Sequence, residues 1–222
     1  MLERTVKLIN KYGILKILQA LCVLGAAIYL MYHVSNIPTI LDAALAKRSE
    51  AVELRHDTSL EVRKEIKPTV DSILNNTLTL LNADRVFVVE MHNGTDNTAG
   101  LPFIYGEMTY EKVAAGIEHV DEDYTSLNLS RFSLPFYLEK NHTFDGTIDD
   151  LYRIDDKLAM RMKSNDVSYV AITTMQGIHN ELGYFGVTYC NDNMPTDNKR
   201  LQTVLSSVSQ KLAILLGKDI SE

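Results

Sequence analysis

The sequence predicts an α+β fold: an antiparallel sheet with helices on one face, preceded by a single N-terminal membrane-spanning helix. Three observations predict it. An apolar run over residues 14–34 is long enough to cross a bilayer. Two strand-like runs, 168–175 and 183–190, are separated by a short polar turn and read as a hairpin. The chain then closes on an amphipathic helix that begins at Asp197 and ends at Gly217.

With 222 residues the chain can form one good core plus an anchor, and is short for two cores. Hydrophobic residues make up 45% and charged residues 23%, a balance that belongs to folded chains. The net charge of −7 hides an asymmetry: Arg4, Lys7, Lys11 and Lys16 against Glu3 give +3 over the first 16 residues, leaving −7 − 3 = −10 for the rest. An acidic soluble part excludes nucleic acid as partner, because phosphate binding needs a basic face. Cys22 and Cys190 fall in different phases, so they form neither a disulfide framework nor a zinc site.

Residues 1–13 read as a basic cytoplasmic N-terminus and 14–34 as the transmembrane helix. No charge interrupts the chain from Ile17 to Val34, an 18-residue span that rises about 27 Å as a helix, near the hydrocarbon thickness. Tyr29 and Tyr32 suit an interfacial aromatic belt. A small-residue site at Ala44-Leu45-Ala46 lies too far beyond the run for a cleaved signal peptide, so the anchor is expected to stay. Arg4, Lys7, Lys11 and Lys16 set the topology: N-terminus inside, C-terminal domain periplasmic or extracytoplasmic, in the inner membrane. Gln19 with the small patch Gly25, Ala26 and Ala27 lets helices approach and hydrogen-bond, which predicts a homo-oligomer in the membrane.

Residues 35–68 read as a helical connector with a charged, solvated face, and 69–222 as the soluble domain. Pro68 is expected to break the helix or to start a second one. After it, Val70, Leu74, Leu78 and Leu81 recur at spacings of four, four and three, the mark of an amphipathic helix on a core. Residues 85–91 form the first strand, and His92-Asn93-Gly94 a turn. Residues 100–110 return as loop then strand. Helices are expected over 111–117, 129–139 and 155–164, the last with Leu158, Met160 and Met162 partly buried. Asp149-Asp150 and Asp155-Asp156 look like turn and N-cap chemistry rather than calcium ligands. In the closing helix Leu201, Val204, Leu205, Val208, Leu212 and Leu215 face inward.

This element order, from about Ser72 to Gly217, resembles the GAF/PAS sensor fold, with a first strand at 85–91 and a late hairpin at 168–190. No catalytic signature appears. Glu90, His92, Asp96 and His119 match no zinc spacing, and the serines lack a nucleophile elbow. There is no Walker sequence and no dinucleotide fingerprint, so no cofactor is expected and nothing speaks for an enzyme. The segment least explained by packing runs from His92 to Phe103. In a GAF/PAS-like domain it would border the central pocket or the exposed sheet face. Glu90, His92, Asn93, Gly94, Pro102, Phe103 and Tyr105 are therefore the candidate ligand or partner site, with a plain hairpin loop as the competing reading.

The layout also resembles the T-even phage type of holin. The resemblance rests on the topology and on the closing pattern Gly183-Tyr184-Phe185-Gly186-Val187-Thr188, Asp197-Asn198-Lys199-Arg200-Leu201 and Ala213-Ile214-Leu215-Leu216-Gly217. It implies timed permeabilisation of the inner membrane for host lysis, with the exported domain tuned by an antiholin-like protein regulator. Two alternatives stand beside it: a membrane-anchored GAF/PAS-like sensory or interaction module that binds a small ligand or protein, and a structural subunit of a phage or membrane complex.

Overall fold

The structure, a computed structural model, describes residues 13–96, 102–177 and 181–217; at 14–15, 17, 20, 33–46, 48–59, 93–96, 102–103 and 181 it describes the backbone alone. The chain divides into two compact units, Met1–Leu60 and Glu61–Glu222. The first long helix, α1, runs over Ile14–Leu81.

In the first unit every described side chain from Lys16 to Tyr32 is exposed. Leu18, Leu21, Val23, Leu24, Ile28, Leu30 and Met31 lie between 58% and 73% exposed, on all sides of the helix. Among the described residues no helix is long and apolar enough to cross a membrane. The span expected over 14–34 therefore finds no support there: its side chains are described without interruption only over 21–32, short of the roughly 20 residues a span needs. Lys16, Gln19, Gly25, Ala26 and Ala27 are exposed on this helix, while Arg4, Lys7 and Lys11 lie outside the described residues.

The second unit is built around a six-stranded antiparallel sheet. Its strands are β1 (Arg85–Asp96), β2 (Pro102–Val113), β3 (Leu127–Asn128), β4 (Thr143–Thr147), β5 (Val167–Gln176) and β6 (Glu181–Cys190), in the order β3-β2-β1-β6-β5-β4. The remaining helices are α2 (Leu134–Asn141), α3 (Ile148–Tyr152), α4 (Asp156–Lys163) and α5 (Asn198–Leu216), with short 3₁₀ turns at Asp121–Tyr124 and Leu129–Arg131.

Pro68 neither breaks α1 nor starts a new helix. Pro68 and Lys64, four residues before it, are both exposed, so water can satisfy the carbonyl that loses its N–H partner. Val70, Leu74 and Leu81 are buried and Leu78 partly so, as their spacing predicts. Asn82 ends the helix in a left-handed conformation (φ 49°), with the Ala83 N–H donating to the Leu78 carbonyl.

The helix expected at 111–117 is instead the end of β2, where Glu111 faces Phe87 and Lys112 faces Val86 across β1. Both charged residues find long-range partners, Arg85 for Glu111 and Asp71 for Lys112, so cross-strand pairing outweighs local helix propensity. The helix expected at 129–139 splits, because Pro135 sits in the first turn of α2 and defines its start. In α4, Leu158 and Met162 are buried as expected, whereas Met160 is largely exposed on the opposite side.

Helices cover both faces of the sheet, not one. Val86, Val88, Ala171, Phe185 and Val187 pack with α1 and α5 in one core. Phe87, Val89, Val170, Ile172 and Tyr184 point the other way, into a second core with α2, α3 and α4. The alternation has period two, and a strand buried on both faces reads as an unbroken apolar run.

Candidate functional site

The second core is not filled. Between the sheet and its helical cover lies a cavity with about 60 Å³ open to the centre of a water molecule, room for roughly four to six waters. Arg85, Phe87 and Val89 of β1, Met108 of β2, Ile172 of β5 and Tyr184 and Thr188 of β6 form its floor. Val120, Tyr124, Leu127, Leu129 and Phe132 form part of the roof, with Leu134 and Leu138 of α2 and Leu158 and Met162 of α4. The wall is almost entirely apolar. Waters there would find few partners, so the cavity suits an apolar occupant.

Close packing of β1 on β6 shapes the floor. Gly183 has φ +153°, and a Cβ there would run into the Val89 carbonyl. The Phe87 ring lies over Gly186, where any side chain would collide with it.

The roof hangs on one buried carboxylate. Asp155 is 2% exposed. Its Oδ2 accepts from the backbone N–H groups of Ser133 (2.6 Å) and Leu134 (2.9 Å) at the start of α2. Its Oδ1 accepts from Leu158 N–H (3.0 Å), capping α4. One side chain thus satisfies two helix starts that both line the cavity. Next to it, Thr147 and Asp150 close a capping box on α3. The hydroxyl and backbone bonds from Thr147 hold the Asp150 carboxyl below its ordinary range.

A buried ion pair stands beside the cavity. Arg85 and Glu111 have side chains only 3% and 2% exposed, with Nε 2.8 Å from Oε1. That approach is oblique, and Nε makes no hydrogen bond. Arg85 Nη2 donates to the Glu118 carbonyl (2.9 Å), and Nη1 makes a long contact with Thr188 Oγ1 (3.4 Å). Glu111 also accepts from the Val120 N–H (3.2 Å) and lies 2.7 Å from His119 Nδ1.

Burial pushes the Tyr124 phenol up to about 12, so it stays neutral near the cavity. Burial likewise raises the Cys190 thiol, which disfavours the reactive thiolate.

Glu111, His119 and Asp121 bring possible metal-ligand atoms within 4.8 Å of one another. The Arg85 guanidinium already neutralises Glu111, and its fixed positive charge repels a cation there. The cluster is better read as a clasp tying β2 to the loop before Tyr124.

The residues singled out from the sequence lie elsewhere in the domain. Glu90, on the face opposite the cavity, takes both oxygens to Arg63 of α1 (2.9 and 2.8 Å). Opposite Glu90, burial alone would weaken the Arg63 charge, but Glu90 and Tyr110 hold its pKa above the ordinary value. His92 pairs across β1–β2 with Tyr105, their rings stacked at 6.0 Å, and its Nε2 is 3.8 Å from Glu107. Asn93 and Gly94, expected in a turn, lie within β1, which runs on to Asp96, and Pro102 and Phe103 begin β2. Of these, Glu90, His92 and Tyr105, whose side chains are described, do not line the cavity. Sequence reading instead missed Arg85, Glu111 and Asp155 as site-forming groups. The signals available were a charge at Arg85 opening a strand whose next four residues are apolar, and the cap position of Asp155.

No family model and no curated protein matches the chain. Solved structures do, at low identity. The GAF domain of the receptor PixJ from Thermosynechococcus elongatus, in its blue-light absorbing form, is 12% identical, covers 72% of this chain and 89% of its own, and superposes with TM-score 0.55. The cyanobacteriochrome receptor PixJ in dark and illuminated states is 13% identical over 72% of this chain and 98% of its own, with TM-score 0.53. A far-red cyanobacteriochrome photoreceptor is 11% identical over 78% of this chain and 98% of its own, with TM-score 0.53. No comparison supports the holin resemblance. What the chain shares with these photoreceptors is the backbone arrangement, and the domain after α1 has the GAF fold.

Proposed function

We propose that the chain is a sensory module whose GAF-fold domain binds a small apolar molecule, held at a membrane by its N-terminal helix. The observation that carries the ligand reading is the apolar cavity between the sheet and the α2–α4 roof. The membrane reading rests on the charge-free run from Ile17 to Val34 and on the apolar side chains exposed around that helix. Bare apolar surface on every side of a helix is costly in water, and lipid covers it. In this reading Gln19, Gly25, Ala26 and Ala27 support self-association, and the N-terminus is cytoplasmic. Lysis has no observation in its favour and is not carried forward.

Thermal unfolding of the full-length chain in lipid nanodiscs, with and without hexane, tests the ligand reading. A ligand at a hundredfold its Kd stabilises by about 2.7 kcal/mol, or roughly 5–10 °C in a domain of this size. The variant Leu158→Phe, which fills part of the cavity, should lose that rise. A transition that hexane leaves unmoved in the native chain refutes the reading. Alkaline phosphatase fused after Gly217 tests the topology: activity is expected, and an inactive fusion with the chain verified in the membrane overturns the orientation.

A further inference from the structure

We propose that the cavity selects a small apolar molecule with one terminal hydrogen-bond acceptor, a carbonyl or a carboxylate, received by Arg85 and Thr188; this rests on the ligand reading above. Arg85 opens β1 and stands directly opposite Thr188 of β6, so the two side chains share one end of the cavity floor. A guanidinium carries five N–H donors and no acceptor. Here it makes one short hydrogen bond, to the Glu118 carbonyl, and one long contact of 3.4 Å to Thr188. Its Nε is buried against Glu111 Oε1 at 2.8 Å without hydrogen-bond geometry, so the capacity that remains is the second N–H of Nη1 and of Nη2. A buried charged donor in this state has unused capacity, which is costly to leave unmet.

Glu111 lies against Nε and does not take up the remaining Nη donors. It neutralises the charge at 2.8 Å but is occupied by the Val120 N–H and His119. The pair is near neutral, so the site does not demand an anion. It demands an acceptor, and an ammonium group, which like the guanidinium only donates, finds no partner in Arg85. The rest of the wall, with Val89, Met108 and Met162, is apolar and matches a hydrocarbon body.

The full-length chain, labelled at its methionine methyls and held in nanodiscs, provides the test. Hexanoate, 2-hexanone, hexane and hexylammonium are titrated while the Met108 and Met162 methyl resonances report the cavity. Met160 and Met194, both exposed, serve as controls. Hexanoate and 2-hexanone should shift the two cavity methyls and bind at least about tenfold tighter than hexane, with hexylammonium weakest. In Thr188→Val, and in the double variant Arg85→Met with Glu111→Gln, the preference for hexanoate and 2-hexanone over hexane should fall below about threefold. Hexane or hexylammonium binding as tightly as 2-hexanone overturns the acceptor site but leaves the cavity reading intact. So does a preference that survives both variants. If no probe moves Met108 or Met162, the ligand reading itself fails.

Discussion

Replacing Asp155 by alanine tests the claim that one carboxylate suspends the cavity roof. The side chain is 2% exposed and accepts three backbone N–H bonds, from Ser133, Leu134 and Leu158. Loss of an N-cap costs about 1 kcal/mol, and each buried donor left unsatisfied costs roughly 1–3 kcal/mol. Two helix starts lose their acceptor together, and some of the donors will recruit water, so the expected loss is about 3–5 kcal/mol. Total stability for a domain is about 5–15 kcal/mol, so this is a large fraction of it. Asp155→Asn keeps one acceptor oxygen and turns an NH₂ toward the other donors, so it should cost nearly as much despite equal size. Urea unfolding followed by circular dichroism reads both variants. An alanine variant within about 1 kcal/mol of the native chain would mean that neither helix depends on this cap, and the account of the roof would be wrong.

Gly183→Ala should lose about 3 kcal/mol or more, because its φ of +153° and the Val89 carbonyl leave no room for Cβ; a near-native denaturation midpoint refutes the packing. Arg85→Met and Glu111→Gln should each cost about 3–5 kcal/mol, while the double variant recovers much of it, since a lone buried charge is worse than none; additive losses in the cycle refute the pair. Tyr124, with its phenol pushed up to about 12, adds stability that is complete below the ordinary tyrosine value and is lost as pH rises through the folded one. Tyr124→Phe should therefore flatten the fall in stability between about pH 10 and 12, and an unchanged slope counts against the burial of this hydroxyl.

The fold was legible wherever its cause is local. Leucine spacing predicts the buried edge of α5 and the end of α1, and Asp197 caps α5 as its position suggests, accepting from the Lys199 and Arg200 N–H groups. The runs at 168–175 and 183–190 do pair as a hairpin. Their nearly unbroken apolar character also held the information that both faces are covered, a reading that the expectation of one helical face passed over. The 111–117 segment failed because Glu111 and Lys112 take partners that lie far away in sequence.

The candidate site was less legible. Turn chemistry drew attention to His92-Asn93-Gly94, a local signal, while the cavity is assembled from segments between Arg85 and Thr188 that no spacing rule connects. Asp155 was readable as a cap on its own helix, but not as the acceptor for Ser133 and Leu134. By itself the sequence determined the apolar N-terminal run, the strand periods and the helix caps, because propensity, periodicity and capping act over a few residues. Only the tertiary structure decided that Arg85 meets Glu111 and Thr188, and that a cavity opens beside them. Those contacts depend on strand register and on the space left when two layers pack, neither of which any local stretch contains.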